Sequence, residues 1–270
     1  MQTGIVPRIW LLLAGTILSA LAQATDPQDE SAWTSALRTQ YFGDRPIEEG
    51  NDVIELTAPY RAEDPALVPI QITGKIPQRP EKYIRHITLI IDNNPVPFAA
   101  SFELTPASGK ADLAMRVRVN SYTHVRAIAE TSDGKLYMSK AFVKASGGCS
   151  APLGADLDAA MARLGKMKFR MDGDKAVLGQ PNAIQLLVSH PNITGLQMDQ
   201  ISRLIKPAHY VEEVKVSFNE MPVLTAKTDI AISADPNFRF YFVPDKAGEL
   251  KAEIRDNLGK TFTASQTITD

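Results

Sequence analysis

Short extended runs separated by turn formers fill this chain, and they constrain its fold more than any other feature. Val53 to Leu56, Val68 to Ile72, Ile84 to Ile91, Ala114 to Val119, Thr123 to Ala129 and Leu136 to Val143 are rich in residues that favour strands. Asp92-Asn93-Asn94-Pro95, Ala107-Ser108-Gly109-Lys110 and Asp133-Gly134 supply turns between them. The pattern stops at Lys144 and resumes at Ile184 to Val188, Val211 to Phe218, Ile230 to Ser233, Phe238 to Val243, Leu250 to Arg255 and Lys260 to Thr267. Asn257-Leu258-Gly259 reads as the turn of a last hairpin. Helical spacing is confined to two places. Asp29 to Phe42 has Trp33 and Leu37 four apart and Gly43 beyond its end, and Gly154 to Met167 sets Leu157, Met161 and Leu164 on one face. The spacing predicts an all-β chain of two antiparallel sandwiches of similar size, with short helices at the N-terminus and at the linker.

The first 24 residues read as a signal rather than as part of this fold. Arg8 precedes an apolar run from Ile9 to Leu21, and Ala22-Gln23-Ala24 is a small-x-small cleavage pattern. Cleavage is expected after Ala24, which makes the mature chain periplasmic and soluble, with no membrane insertion. Of 29 basic residues the signal removes Arg8, leaving 28 against 31 acidic ones, a net charge near −3. Nothing in that balance marks a nucleic-acid or anionic-membrane binder.

Export gives weight to the single cysteine, Cys149. One thiol forms no intramolecular disulfide, and an odd thiol in an oxidising compartment points to intermolecular pairing or a free reactive group. The opposing reading is a buried structural cysteine, the usual fate of a free thiol. Cys149 lies in Val143 to Gly154, VKASGGCSAPLG, where Gly147 and Gly148 supply arm flexibility and leave the sulfur sterically open. No His, Arg or second Cys adjoins it in sequence to depress its pKa. The stretch suits a tether for a covalently held group better than a nucleophile in a pocket; an interdomain linker with an incidental cysteine is the bland alternative.

Other chemistry-bearing residues read as structural. His86, His124, His190 and His209 show no ligand spacing, so no metal site is expected. Phe238, Phe240 and Phe242 alternate and share one face of a strand, the pattern of a core. Glu48-Glu49 and Glu212-Glu213 point to opposite faces of a strand and form no acid–base dyad. No phosphate loop, cofactor fingerprint or Ser-His-Asp order is present, so neither a cofactor nor an enzymatic activity is expected.

Four collinear stretches in the second half join the Gly-Gly-Cys arm in one resemblance. They are Ser189 to Leu196 (SHPNITGL), Ile205 to Val211 (IKPAHYV), Ser233 to Phe240 (SADPNFRF) and Asp256 to Lys260 (DNLGK). The first half, through Val143 to Cys149, resembles SoxY, the sulfur carrier of bacterial thiosulfate oxidation, and the second half resembles its partner SoxZ. The resemblance implies immunoglobulin-like sandwiches, with a signal at 1–24, a SoxY-like domain at 25–144, the arm and linker at 145–165 and a SoxZ-like domain at 166–270. It implies that Cys149 carries sulfur groups covalently between periplasmic redox or sulfur-oxidising enzymes. The family's separate SoxY subunit ends in a free Gly-Gly-Cys-Gly-Gly tail, whereas here Cys149 is followed by Ser150-Ala151-Pro152 and a whole domain. That departure resembles a fused subgroup associated with a quinoprotein (PQQ) dehydrogenase and a c-type cytochrome. The other reading is a non-covalent accessory module with an incidental thiol. Cargo and oligomeric state, a homodimer included, stay open.

Overall fold

A computed structural model describes residues 29–152, 157–173, 175–199 and 202–269. The expected signal peptide, and part of the linker after Pro152, lie outside the described residues.

The described residues open with a helical stretch in which Trp33–Leu37 is wound more widely than the α-helix α1 (Arg38–Phe42) that continues it. The Asp29 carboxylate accepts from the Ser31 backbone N–H at 2.8 Å, and Gly43 ends the helix at φ 60°. Trp33, Leu37 and Phe42 are buried against Ile90, Ile128 and Leu136. The first-half strands are β1 (Ile47–Glu49), β2 (Ile54–Thr57), β3 (Val68–Gly74), β4 (Ile84–Ile91), β5 (Phe98–Leu104), β6 (Leu113–Val117), β7 (Thr123–Thr131) and β8 (Leu136–Val143). After α2 (Leu157–Ala162) come β9 (Met167–Met171), β10 (Asn182–Val188), β11 (Val211–Phe218), β12 (Met221–Thr228), β13 (Asn237–Phe242), β14 (Gly248–Asp256) and β15 (Thr261–Ile268).

These strands form two sheets, and each runs through both halves of the chain. One has the order β1-β8-β7-β4-β5-β12-β11-β14-β15, the other β2-β3-β6-β13-β10-β9. The halves join where β5 pairs antiparallel with β12, from Leu104 opposite Leu224 to Ala100 opposite Thr228. On the facing sheet β6 meets β13 only at Ala114 and Arg239. The tandem immunoglobulin-like sandwiches are therefore fused edge to edge over one continuous apolar core. Phe102 of the first half and Phe238 of the second meet edge to face, 6.4 Å between ring centres.

Three local expectations differ. Ile230 to Ser233 is a turn with a single bridge, Ile232 to Val117, rather than a strand. β5 and β12, whose small and polar residues (FAASFEL, MPVLTAKT) carry a weak strand signal, are the strands that join the halves. In α2 none of the residues is buried, so the apolar stripe at Leu157 and Met161 does not seat in the core.

Candidate functional site

Beyond β8 the chain turns along the junction of the two halves. Gly147 donates to the Asn120 carbonyl at 2.9 Å and Gly148 to the Val119 carbonyl at 3.0 Å. The Cys149 N–H reaches Asn120 Oδ1 at 3.3 Å. Gly147 sits at φ 82° with open space around it. At Gly148, a Cβ would press into the carbonyl oxygens of Pro65 and Val119. The second glycine thus permits a backbone contact that no other residue allows.

The second half closes over the other side. The Thr194 hydroxyl donates to the Cys149 carbonyl at 2.7 Å and accepts from the Leu196 N–H. Gln197 Nε2 donates to the Ala151 carbonyl at 2.9 Å. Thr194 lies within the Ser189 to Leu196 stretch and Gln197 directly follows it. In the same stretch Asn192 is buried at φ 42°, donating to the Ile232 carbonyl and accepting from Val211 N–H.

Cys149 is consequently 1% exposed. The sequence leads one to expect an accessible thiol on a mobile arm; the structure holds the arm docked and the thiol covered, because backbone bonds from Gly147 and Gly148 and side-chain donors from Thr194 and Gln197 fix the segment the glycines would otherwise leave free. Burial pushes the thiol pKa up to about 11, with the nearby Arg118 cation acting in the opposite sense. A docked Cys149 is a poor nucleophile, since at neutral pH only about one molecule in 10⁴ carries the thiolate.

Arg118 is the second notable residue, and the sequence carries no signal for it. It follows β6, is 3% exposed, and donates through Nη1 to the Gly148 carbonyl (3.4 Å) and through Nη2 to the Asn192 carbonyl (3.2 Å). Its Nε is buried without a partner.

The fold also assembles a cluster that no sequence spacing signals. His190, His209 and Asp256 are buried with their ligand-capable atoms within 4.8 Å of one another. His209 Nε2 lies 2.8 Å from Asp256 Oδ2, and His190 Nε2 lies 3.9 Å from the same oxygen. The Asn192 N–H donates to His190 Nδ1 at 3.1 Å, which leaves the neutral ring's proton on Nε2 and makes that nitrogen a donor rather than a metal ligand. Burial holds the His190 pKa down to about 4, so the ring is neutral at physiological pH. Asp256 Oδ1 accepts from the Leu258 and Lys260 N–H groups of the last hairpin turn. Within the cluster only His209 and Asp256 are hydrogen-bonded; His190 Nε2 has no partner among the described residues, and His190 braces the loop carrying Asn192 and Thr194 through the Asn192 N–H. His86 and His124 stand on β4 and β7, in the other half.

The profile of the family "Sulfur oxidation protein SoxY" matches residues 38–149, and that of "Sulphur oxidation protein SoxZ" matches residues 169–267. The first match ends on Cys149. Among solved structures, the sulfur carrier protein SoxY from Chlorobium limicola f thiosulfatophilum is similar at 28% identity over 40% of this chain and 86% of that one, with a TM-score of 0.34. A superoxide reductase (neelaredoxin) from Ignicoccus hospitalis is similar at 14% identity over 34% of this chain and 79% of that one, with a TM-score of 0.31. No curated protein matches the chain.

Proposed function

This chain belongs to the SoxY and SoxZ families, whose domains it joins in tandem as a fused SoxYZ-like protein, and from that premise we propose that it carries a sulfur-containing group covalently on Cys149 and presents it to partner enzymes. The observation that carries this reading is the position of the chain's only cysteine at the last residue of the SoxY match. Loading is an exchange: the Cys149 thiolate attacks a sulfur of the donor, a sulfur–sulfur bond forms, and the donor's leaving group departs with the electron pair. A second protein unloads the group by the same chemistry. The chain acts as a carrier rather than as an enzyme. It works in the periplasm after cleavage of residues 1–24, beside sulfur-oxidising or other redox enzymes; a quinoprotein dehydrogenase with a c-type cytochrome is the partner system that the fused arrangement brings forward.

Exchange requires the thiol to leave its cover. The docked arm is then a resting state, and opening breaks the contacts from Thr194, Gln197 and Arg118 before Cys149 reacts. With Ser150-Ala151-Pro152 leading into the second half, the opened arm is a loop of short reach, so partners must approach the seam between the halves.

The burial of Cys149 favours one other reading, in which the chain binds its partners without covalent chemistry and the thiol only fills space. Complementation of a strain lacking the gene separates the two. The carrier reading expects Cys149→Ala and Cys149→Ser both to fail while still folding; full complementation by Cys149→Ala would overturn it.

A further inference from the structure

Arg118 and Arg126 are the two buried arginines of the described residues, and they are treated differently. Arg126 is fully buried and pairs with Asp92 and Glu30 while lying over the Trp33 ring. Arg118 has no carboxylate within ion-pair distance among the described residues; its partners are two carbonyl oxygens, and its Nε has none. A guanidinium withdrawn from water is costly unless an anion or a full set of acceptors meets it. Two groups that can bear negative charge act on Arg118: the Asp64 carboxylate, which lies beyond ion-pair distance, and, with the larger effect, the Cys149 sulfur, which follows the Gly148 carbonyl that Arg118 holds. Arg118 and the sulfur sense each other's charge, Arg118 favouring the thiolate and the thiolate favouring the guanidinium.

We propose that Arg118 is the charge-reading residue of the arm: with the arm seated at the seam, its guanidinium holds an anionic group on the Cys149 sulfur and discriminates against a neutral one. The proposal rests on the carrier reading for its biological meaning. A planar fork with an unused N–H suits an oxygen-terminated sulfur group, such as a thiosulfonate, because it meets two oxygens at once. A neutral adduct leaves the cation as unpaired as it is beside the free thiol. Arg118 is a specificity-determining residue in this account, and it takes no part in making or breaking the sulfur–sulfur bond.

The test compares two adducts installed chemically on the full mature chain. Tetrathionate gives the anionic form: the thiolate attacks an inner sulfur, the S-thiosulfonate forms, and thiosulfate leaves with the electron pair. Methyl methanethiosulfonate gives the neutral S-methylthio form and releases methanesulfinate. Both products are verified by intact mass, and the melting temperature of each is measured in the wild type and in Arg118→Met. The methionine keeps an apolar stem in place of an uncompensated buried charge, a change that folds tolerate. The anionic adduct is expected to melt about 3 °C or more above the neutral one in the wild type, and the gap to close in Arg118→Met. A neutral adduct as stable as the anionic one in the wild type overturns the proposal without recourse to any variant, and so does a gap that survives in Arg118→Met. Because the adducts are made in the tube, a protein found unloaded in its own cells sinks the carrier reading and leaves this comparison standing.

Discussion

The Thr194 hydroxyl donates to the Cys149 carbonyl oxygen across 2.7 Å, so that the SoxZ half of the chain holds down the arm that ends the SoxY half. That bond crosses the seam at the residue proposed to carry the cargo. It makes the second half part of the cover over the thiol.

Loosening this grip is expected to expose the thiol. Thr194→Val leaves the Cys149 carbonyl and the Leu196 N–H without their partner, a loss of about 1–2 kcal/mol that raises the opened fraction roughly 5- to 30-fold. Labelling of Cys149 by a chromogenic disulfide at pH 7 measures it, and Gln197→Ala, which frees the Ala151 carbonyl, should act in the same direction. Unchanged labelling rates in both variants would show that these contacts do not control access.

The two glycines of the arm are expected to behave differently. Gly148→Ala drives a Cβ into the Pro65 and Val119 carbonyls and should undock the arm, speeding labelling more than about 10-fold. Gly147→Ala meets only open space and pays for its φ of 82° with about 1–2 kcal/mol of backbone strain, so its effect should be smaller. Equal rates for the two variants would contradict the docked geometry.

The raised thiol pKa makes stability depend on alkaline pH. Cys149 titrates near 9 when unfolded and at about 11 when folded, so the folded state keeps its proton where the unfolded state has lost it. The stabilisation is complete below pH 9 and is lost as pH rises through 11, by an amount of order 2 kcal/mol. Tyrosines and lysines titrate in the same window, so the quantity to follow is the difference between wild type and Cys149→Ala in denaturant unfolding. That difference should move against the wild type between pH 9 and pH 11. A constant difference would mean that the thiol is more exposed than its 1% accessibility states.

The seam itself is expected to hold without the covalent link. β5 and β12 pair over Ala100–Leu104 and Leu224–Thr228, and one apolar core runs beneath them. Residues 25–152 and 157–270 made as separate chains should therefore co-elute as a 1:1 complex, because each alone leaves a strand edge and a core face open. Elution as two independent monomers would refute the shared-sheet architecture.

Much of this molecule is legible in its sequence, and what is hidden follows a physical logic. Strands such as Ile84–Ile91 and Val211–Phe218 announce themselves because their runs of apolar and β-branched residues are local properties. β12 carries Pro222, Thr225 and Lys227, so its pairing with β5 leaves little local trace. Small residues around Cys149 are ambiguous by nature: a glycine needed for motion and a glycine needed for close backbone contact look identical in a sequence, and Gly148 is of the second kind. Arg118 with its carbonyl partners, and the His190–His209–Asp256 cluster, are brought together by topology alone, from segments far apart in the chain.

The most direct measurement is the intact mass of the mature protein isolated from its own cells without reductant. A reducible mass increase on Cys149, equal to added sulfur atoms or to a thiosulfonate, is the expected result and identifies the cargo. A bare thiol that also fails to take up tetrathionate once the arm is released by Gly148→Ala would contradict the account, and Cys149 would then be a packing residue.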